Sequence, residues 1–376
     1  MSESNIDRQL FFSEFPSSSK EEWEKIVAED IGDPDYISKI GWPISGLPAM
    51  APLYTKDEIA HSETLPLFYT GNWQLCEFIP DSNPVKANLA IKEALNGGAQ
   101  CCMIYHRESE FSADRFKKVT EDLADSGAEL ILDIHPSDAG AILNLRSTTP
   151  PKISFLVDTF SENNSDHIPG ISDSRADVIF GVNSTRYHKT DASIPHQLAV
   201  SLSMASELLL TEGQKAAHSI LFRLETGPLY FPEIAKLRAL RILWHNLLDA
   251  YEIMEKPDAQ IIAEIKQSEA QRDATNNLLI SVSKAMASVL GGADKLLIHP
   301  FDAPSGFTNR ITRNIQHILR DEAHLNKTAD PAAGSYFIEK LTGEIAQEAW
   351  KRFGNIEKGG GFLSSLQNGQ ISEVLS

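Results

Sequence analysis

The chain has 376 residues and a formal net charge of -18 at pH 7, which argues against nucleic acid as its main partner because a phosphate backbone would be repelled. With 42% hydrophobic residues, it is long enough for one large α/β barrel with an appended arm or for two ordinary domains. Its apolar runs are interrupted by polar residues before they reach membrane-spanning length, so no membrane partner is expected.

The first 60 residues predict a helix followed by an extended arm. Residues 1–19 are Ser-rich and lack a basic segment followed by an apolar one, so export is not expected. Residues 20–31 predict a helix with glutamates in its favourable first turn. Its apolar side chains form a stripe that needs a surface to pack against: Trp23, Ile26 and Val27. The Pro- and Gly-rich residues 40–59 predict extended chain.

From Asn72 onward, short apolar runs alternate with segments of helical pattern. Such runs are typical of parallel strands buried on both faces. The predicted strands are 73–79, 101–106, 130–135, 153–158, 178–183, 219–224, 260–265 and 296–300. The helical segments between them are 84–96, 113–126, 194–211 and 231–250. This alternation predicts the α/β class, as a (β/α)8 TIM-type barrel over residues 61–358 with an extended N-terminal arm and a polar tail at 359–376.

The three cysteines, Cys76, Cys101 and Cys102, lie in apolar runs without metal-ligand spacing. Adjacent Cys101 and Cys102 should point to opposite faces of their strand. We interpret all three as buried, reduced thiols, which predicts a cytoplasmic protein without a disulfide or a metal site.

The stretch from Asn276 to Trp350 has the most distinctive sequence in the chain. It predicts a helix, a stop at Gly291 and Gly292, a short strand and a second long helix over 308–323. Four of its blocks resemble the closing part of the substrate-binding barrel in the methylmalonyl-CoA mutase family, in the family's order: KAMASVLGGAD, HPFDA, RITRNIQHILRDEA and KTADPAAGSYFIEKLT.

Two further regions resemble the same family. EIAKLRALRILW, from Glu233 to Trp244, matches a block after strand six. Trp42, Gly46 and the PLYT of residues 52–55 are similar to the family's N-terminal arm, which lies against the partner subunit. An apolar arm of this kind could equally fold back on its own barrel. The resemblance covers roughly residues 20–355.

Two motifs of the catalytic members have no good match here. Those members carry a cobalamin-binding domain with an Asp-x-His-x-x-Gly motif, whose His ligates cobalt. Asp133 and His135 match its first half, but Asp138 replaces the Gly and the string lies within the barrel pattern, so we interpret it as a strand end. Of the strand-one segment that holds CoA and the acyl group, only Trp73 and Gln74 remain. The resemblance therefore implies that this chain binds no cofactor.

Four residues are candidates for a site because of the resemblance. Tyr187 and His188 follow strand five, where a Tyr-His pair of the catalytic members contacts the thioester carbonyl, so they are vestigial catalytic candidates. The family's next residues, Glu-Ala-Gly-Ala, are replaced at 190–193, and His188 could equally be a loop histidine that holds the fold. Gln267 and Ser268 end strand seven, where relatives present Gln and Ser, and are substrate-binding candidates.

Matches and missing motifs together imply a small, non-catalytic subunit of an adenosylcobalamin-dependent methylmalonyl-CoA mutase. A large catalytic subunit, in a heterodimer with this chain, would then hold the cofactor and interconvert methylmalonyl-CoA and succinyl-CoA. Two alternatives remain open. Tyr187 and His188 favour an active barrel subunit of a split acyl-CoA mutase with a separate cobalamin-binding chain. A non-enzymatic scaffold or binding protein is the other.

Overall fold

The computed structural model describes residues 18–59, 71–80, 83–106, 112–123, 126–134, 152–157, 160, 177–187, 193–267 and 273–371. Several residues discussed above lie outside these ranges: His135, Asp138, His188, Thr190 and Ser268.

A closed barrel of eight parallel strands forms the centre of the described chain, with each strand paired to the next and the last paired to the first. The strands are β1 (Gln74–Pro80), β2 (Cys101–His106), β3 (Glu129–Ile134), β4 (Lys152–Val157), β5 (Asp177–Asn183), β6 (Ile220–Glu225), β7 (Gln260–Ile265) and β8 (Lys295–Ile298). All eight predicted strands are confirmed, with small shifts at their ends. Continuous apolar runs identified them because both faces of each strand are covered.

Helices surround the barrel and precede it. They are α1 (Lys20–Ile31), α2 (Tyr36–Ile40), α3 (Pro84–Asn96), α4 (Ala113–Val119), α5 (Ile194–Glu212), α6 (Gln214–Ala217), α7 (Tyr230–Ala250), α8 (Ala274–Leu290), α9 (Gly306–His317), α10 (Tyr336–Lys358) and α11 (Gly361–Gln367). The helix predicted over 308–323 is α9 continued by a π-helical turn, Ile318–Glu322. Among the described residues, no helix has both the length and the apolar content needed to cross a membrane.

Helix α1 begins and ends where its capping residues allow. Ser19 and Glu22 form a reciprocal capping box at its start, and Gly32 ends it with a φ of 73°, a conformation that glycine adopts without strain. The Trp23 ring packs edge-on against Tyr36 of α2 at 5.9 Å between ring centroids. No residue of α1 is buried. The predicted apolar stripe is therefore not fully covered by the described chain.

The extended arm folds back along the helices of its own barrel. Trp42 and Met50 form an antiparallel bridge, and the Trp42 ring stacks on Phe337 of α10 at 6.1 Å between centroids. Gly46 has a φ of 82°, and a Cβ at this position would meet the Ser193 side chain at 2.7 Å. The described arm residues therefore contact their own chain, and contact of the arm with a partner subunit stays a prediction.

The C-terminal segment predicted as a polar tail contains the packed helix α11. Phe362 in this helix is fully buried, and its ring lies edge-on to Phe160 and Tyr187 at 5.0 Å between centroids. The prediction of a polar tail was based on the polar residues of the segment. It did not use the apolar residues, which form one side of a short helix. This part of the tail therefore belongs to the barrel's outer layer.

Candidate functional site

The middle of the barrel interior is filled with apolar side chains. They form one buried cluster: Cys76, Cys101, Met103, Ile131, Leu156, Leu221, Ile262 and Leu297. Cys102 packs instead in the layer between strands and helices, so the two adjacent cysteines face opposite sides as predicted. All three cysteines are buried and free. This part of the barrel is a packed core of the kind seen in many α/β barrels.

Polar side chains gather inside the barrel at the carboxyl ends of the strands. We call Tyr105, Asp133, Arg223, Glu264 and His299 the mouth cluster. Arg223 lies at its centre and donates from Nη1 to Asp133 over 2.7 Å and from Nε to Glu264 over 2.7 Å. A third bond, from Nη2, reaches the other Glu264 oxygen at 2.9 Å. The guanidinium is therefore paired with two carboxylates.

Aromatic groups complete the mouth cluster around Glu264. The Tyr105 hydroxyl donates to Glu264 Oε1 over 2.6 Å, and His299 Nε2 lies 2.6 Å from the same oxygen. The Arg223 guanidinium lies over the Tyr105 ring, 4.7 Å from its centroid, and contacts the hydroxyl. Phe78 packs against the Tyr105 and His299 rings at 5.0 and 4.8 Å between centroids. Glu264 is thus fully enclosed, with 0% exposure.

The environment of Glu264 keeps its carboxylate charged. Burial by itself would raise the pKa of Glu264, but the Arg223 charge, the His299 hydrogen bond and the Lys266 charge outweigh burial and hold this pKa well below its ordinary value. An ionised carboxylate cannot act as a general acid, and its basicity is low. All three Arg223 nitrogens already donate within the cluster. The arrangement therefore suits mutual neutralisation better than substrate binding.

A second polar group closes the opposite end of the barrel interior. We call Gln74, Glu129, Ser154 and Lys295 the base cluster. Lys295 Nζ donates to Glu129 Oε2 over 2.8 Å and also contacts Gln74, while Ser154 Oγ donates to Glu129 Oε1 over 3.1 Å. Burial would lower the pKa of Lys295, but the neighbouring Cys101 thiol and Glu129 carboxylate outweigh it, so this pKa is raised.

Tyr187, the vestigial catalytic candidate, packs away from the mouth cluster. Its side chain is 2% exposed, and its hydroxyl donates to the Phe160 carbonyl oxygen over 2.6 Å. Its ring contacts Phe362 of α11, outside the strand barrel. The structure therefore gives Tyr187 a packing environment, and its proposed partner His188 lies outside the described residues.

Gln267, the substrate-binding candidate, ties together three elements at the rim of the barrel. Its Nε2 donates to Ser281 Oγ of α8 over 2.9 Å and to the His299 carbonyl oxygen over 3.2 Å. These bonds hold the end of β7 against α8 and the end of β8. Ser268, its predicted companion, is not among the described residues.

Three charged residues of α7 are almost completely buried. Glu233, Lys236 and Arg241 are at most 4% exposed. Lys236 pairs with Glu233 and donates to the Glu225 carbonyl oxygen over 2.7 Å. Arg241 pairs with Asp294 over 3.0 Å. Ion pairs at this depth are not weak surface pairs, and they tie α7 to β6 and to the residue before β8.

The sequence interpretation missed the mouth cluster. Arg223 and Glu264 were treated only as members of apolar strands, and Asp133 as part of a degenerate motif. A usable signal was present, because each charge lies near the carboxyl end of its strand, where inward-facing side chains of a closed barrel converge. Among the described residues, no group of three or more His, Cys, Asp or Glu side chains is placed to hold a metal ion.

Comparisons with known proteins agree with the blocks in the sequence. The family model described as methylmalonyl-CoA mutase matches residues 174–375. The methylmalonyl-CoA mutase small subunit of Porphyromonas gingivalis is 27% identical over 418 residues, covering 98% of this chain and 68% of the relative. A probable methylmalonyl-CoA mutase small subunit of Mycobacterium tuberculosis H37Rv is 30% identical over 350 residues, covering 81% and 56%.

A relative not described as a small subunit also matches. The methylmalonyl-CoA mutase of Cereibacter sphaeroides is 32% identical over 199 residues, covering 49% of this chain and 28% of that protein. Among solved structures, DHPS of Yersinia pestis aligns at a TM-score of 0.40 and 15% identity, over 68% of this chain and 94% of that one, which is too low to bear on function. The matched family model spans more than half of the sequence, and the chain belongs to the methylmalonyl-CoA mutase family.

Proposed function

We propose that this chain is the small, non-catalytic subunit of an adenosylcobalamin-dependent methylmalonyl-CoA mutase. The observation that carries the proposal is the mouth cluster, in which Arg223 is paired with Asp133 and Glu264. Barrels of this type bind substrates at the carboxyl ends of their strands. Here the described side chains of the mouth cluster bind one another.

The cost of displacing the mouth cluster supports a non-catalytic role. The carboxylate of a methylmalonyl or succinyl group favours a bidentate arginine. Arg223 could serve it only by releasing Asp133 or Glu264, which are buried carboxylates with 1% and 0% exposure. Breaking a buried ion pair by removing one partner costs about 3–5 kcal/mol. Binding a substrate here would therefore be unfavourable.

The described residues do not fit a cobalamin. Asp133, the first residue of the degenerate cobalt-binding motif, faces the barrel interior and binds Arg223 over 2.7 Å. It is therefore engaged and cannot orient a cobalt-ligating histidine from there. We assign the cofactor, and the radical chemistry that it supplies when bound, to the partner chain.

The proposed partner is a large catalytic subunit, in a heterodimer with this chain. Two of the relatives reported above are called small subunits, which supports this pairing. In the proposed complex, acyl-CoA binds to the large subunit, and this barrel stabilises that subunit. We place the complex in the cytoplasm, in keeping with three free thiols and a net charge of -18.

Co-expression with the large mutase subunit of the same genome tests this proposal. We expect the two chains to elute together in size-exclusion chromatography and to convert methylmalonyl-CoA, while this chain alone is inactive. A large subunit purified without this chain should be less active or less stable. Failure of the two chains to associate would refute the proposal.

The active split mutase is tested in the same material. It requires turnover when this chain is mixed only with a small cobalamin-binding chain, and loss of that turnover in His188→Ala. Under our proposal that mixture is inactive, and His188→Ala leaves the activity of the heterodimer unchanged. Turnover without the large subunit would show that this barrel is catalytic.

A further inference from the structure

Two of the three cysteines touch each other across neighbouring strands. Cys76 of β1 and Cys101 of β2 are directly paired in the parallel register, and both side chains belong to the apolar cluster inside the barrel. Their Sγ atoms are 3.2 Å apart. Cys102, the next residue, is also buried but packs on the opposite face of β2. The chain thus holds a pair of thiols in contact and a third thiol that faces away from them.

The geometry of the pair matches the requirements of a disulfide bond. Neighbouring strands lie about 4.7–4.9 Å apart, and disulfides usually join residues whose Cα atoms are about 4.4–6.8 Å apart. The two sulfurs need to approach by only about 1 Å more to form the bond. Rotation of the side chains can supply that movement, so β1 and β2 can keep their register.

The pair lies beside the base cluster. Gln74, which is only partly buried, precedes Cys76 by two positions and therefore faces the same side of β1. Glu129 is paired with Cys101 in the register of β2 and β3. Lys295 binds Gln74 and Glu129, and its charge interacts with both thiols. The base cluster is therefore the polar side from which a small oxidant can approach the sulfurs.

The two thiols of the pair have different surroundings. Burial and the hydrogen bond with Cys101 raise the pKa of Cys76 well above its ordinary value, so Cys76 keeps its proton. Cys76 Sγ donates that hydrogen bond, and Cys101 Sγ accepts it. Cys101 also interacts with the Lys295 ammonium, and a nearby cation favours a thiolate. Cys101 is therefore the better nucleophile of the two.

We propose that Cys76 and Cys101 are an oxidation site that closes to a disulfide bond when hydrogen peroxide reaches it. The Cys101 thiolate attacks a peroxide oxygen, the O–O bond breaks, and a sulfenic acid forms while hydroxide leaves. Cys76 Sγ then attacks Cys101 Sγ, the S–O bond breaks, and a second hydroxide leaves. The hydroxides take up the two thiol protons. Both sulfurs are oxidised, and the peroxide is reduced to two water molecules.

The bond would join β1 to β2 at the end of the barrel opposite the mouth cluster. Its two residues are 25 positions apart in the chain. A cross-link of this length restricts the unfolded chain, so the oxidised form should resist unfolding better than the reduced form. Oxidation would therefore stabilise the barrel without altering the mouth cluster.

Mapping of disulfides in the purified full chain tests the proposal. The chain is treated with hydrogen peroxide at neutral pH, its remaining thiols are blocked with N-ethylmaleimide during unfolding, and its tryptic peptides are analysed by mass spectrometry without reduction. Trypsin places Cys76 in residues 57–86 and the other two cysteines in residues 93–107. We expect a cross-link between Cys76 and Cys101, with the maleimide on Cys102. A cross-link to Cys102, or oxidation of Cys101 without any cross-link, would overturn the proposal.

Oxidation of the chain after unfolding in urea is the control for adventitious pairing. There the three cysteines react without the guidance of the fold, which gives a reference yield for each pair. The yield of the Cys76–Cys101 bond in the folded chain should exceed its reference several-fold. Equal yields would mean that the bond forms only in unfolded chains, and the proposal would be wrong.

Three variants identify the reacting sulfurs. Cys102→Ser is the matched control, because Cys102 is as buried as Cys101, and it should leave the cross-link unchanged. In Cys76→Ala the cross-link should be lost, and dimedone should label the unresolved sulfenic acid of Cys101. In Cys101→Ala, Cys76 should stay unlabelled. Labelling of Cys76 instead of Cys101 would overturn the assignment of the nucleophile.

Urea denaturation shows whether the bond fits the folded barrel. The midpoint should move to higher urea after oxidation and return to its original value with dithiothreitol. Cys102→Ser should show the same shift, and Cys76→Ala should show none. A midpoint that stays the same or falls on formation of the cross-link would show that the bond distorts the barrel, contrary to the proposal.

Discussion

The two ends of the barrel interior are both closed by buried ion clusters, but they are balanced differently. In the base cluster one cation, Lys295, faces one carboxylate, Glu129, which also accepts a bond from Ser154. In the mouth cluster Arg223 pairs with two carboxylates, and Lys266 outside the cluster lies 4.0 Å from one of them, Glu264. Arg223 thus holds two buried carboxylates at once, whereas Lys295 holds one.

This comparison bears on how the family's barrel is used here. In α/β barrels the amino-terminal end of the strands generally serves stability, and the carboxyl-terminal end holds the active site. In this chain the carboxyl-terminal end contains a cluster built in the same manner as the base, from charges that neutralise one another. The described residues at the carboxyl-terminal end are thus paired with one another in the same way as those at the base.

The largest effect is expected for Arg223→Met. The substitution removes the guanidinium that pairs with the buried Asp133 and Glu264 carboxylates, so the free energy of unfolding should fall by about 3–5 kcal/mol. Urea denaturation of the purified chain measures the loss. The control is Arg310→Met, because Arg310 is exposed and touches only the Phe307 ring among its described contacts. That variant should lose less than about 1 kcal/mol.

The corresponding change at the base, Lys295→Met, should cost less. It removes the ammonium that pairs with one buried carboxylate, Glu129, and Ser154 still donates to that carboxylate. We expect a loss of about 2–3 kcal/mol in the same urea experiment. If Lys295→Met proved as damaging as Arg223→Met, the asymmetry between the two ends would be wrong.

The two clusters should also lose their contributions to the free energy of unfolding at opposite ends of the pH range, the mouth cluster in acid and the base cluster in alkali. The pKa of Glu264 is lowered in the folded chain, so its contribution to stability is present above the ordinary carboxyl pKa and is lost as the pH falls toward the folded value. The pKa of Lys295 is raised, so its contribution is present below the ordinary lysine pKa and is lost as the pH rises through the folded value.

Denaturation as a function of pH measures this difference. Glu264→Gln should flatten the acid side of the stability profile, and Lys295→Met should flatten the alkaline side. Each variant serves as the control for the other. If Glu264→Gln and Lys295→Met both flattened the same side of the stability profile, the two clusters would not titrate independently.

The barrel was predictable from the sequence, whereas its ion clusters were not. Strands such as Gln260–Ile265 can be recognised from their composition, because burial on both faces of a strand leaves few positions for polar residues. Glu264 is the one charged residue of that strand. It pairs with Arg223 of β6, 264 - 223 = 41 positions away, and Arg223 also pairs with Asp133 of β3, which is 264 - 133 = 131 positions from Glu264. Only closure of the barrel brings them together. The base cluster, which joins Lys295 to Glu129, was missed for the same reason.

The smallest effect on stability is expected for Tyr187→Phe, and this variant distinguishes a packing role of Tyr187 from a catalytic one. Its hydroxyl donates to the Phe160 carbonyl oxygen, and Tyr187→Phe removes that bond, so the free energy of unfolding should fall by about 1 kcal/mol. The ring and its contact with Phe362 are retained. In the heterodimer, turnover of methylmalonyl-CoA should therefore equal that of the unsubstituted complex. A fall in kcat with normal stability and assembly would instead mean that the hydroxyl takes part in catalysis, and the carboxyl-terminal end of this barrel would have to be regarded as an active site.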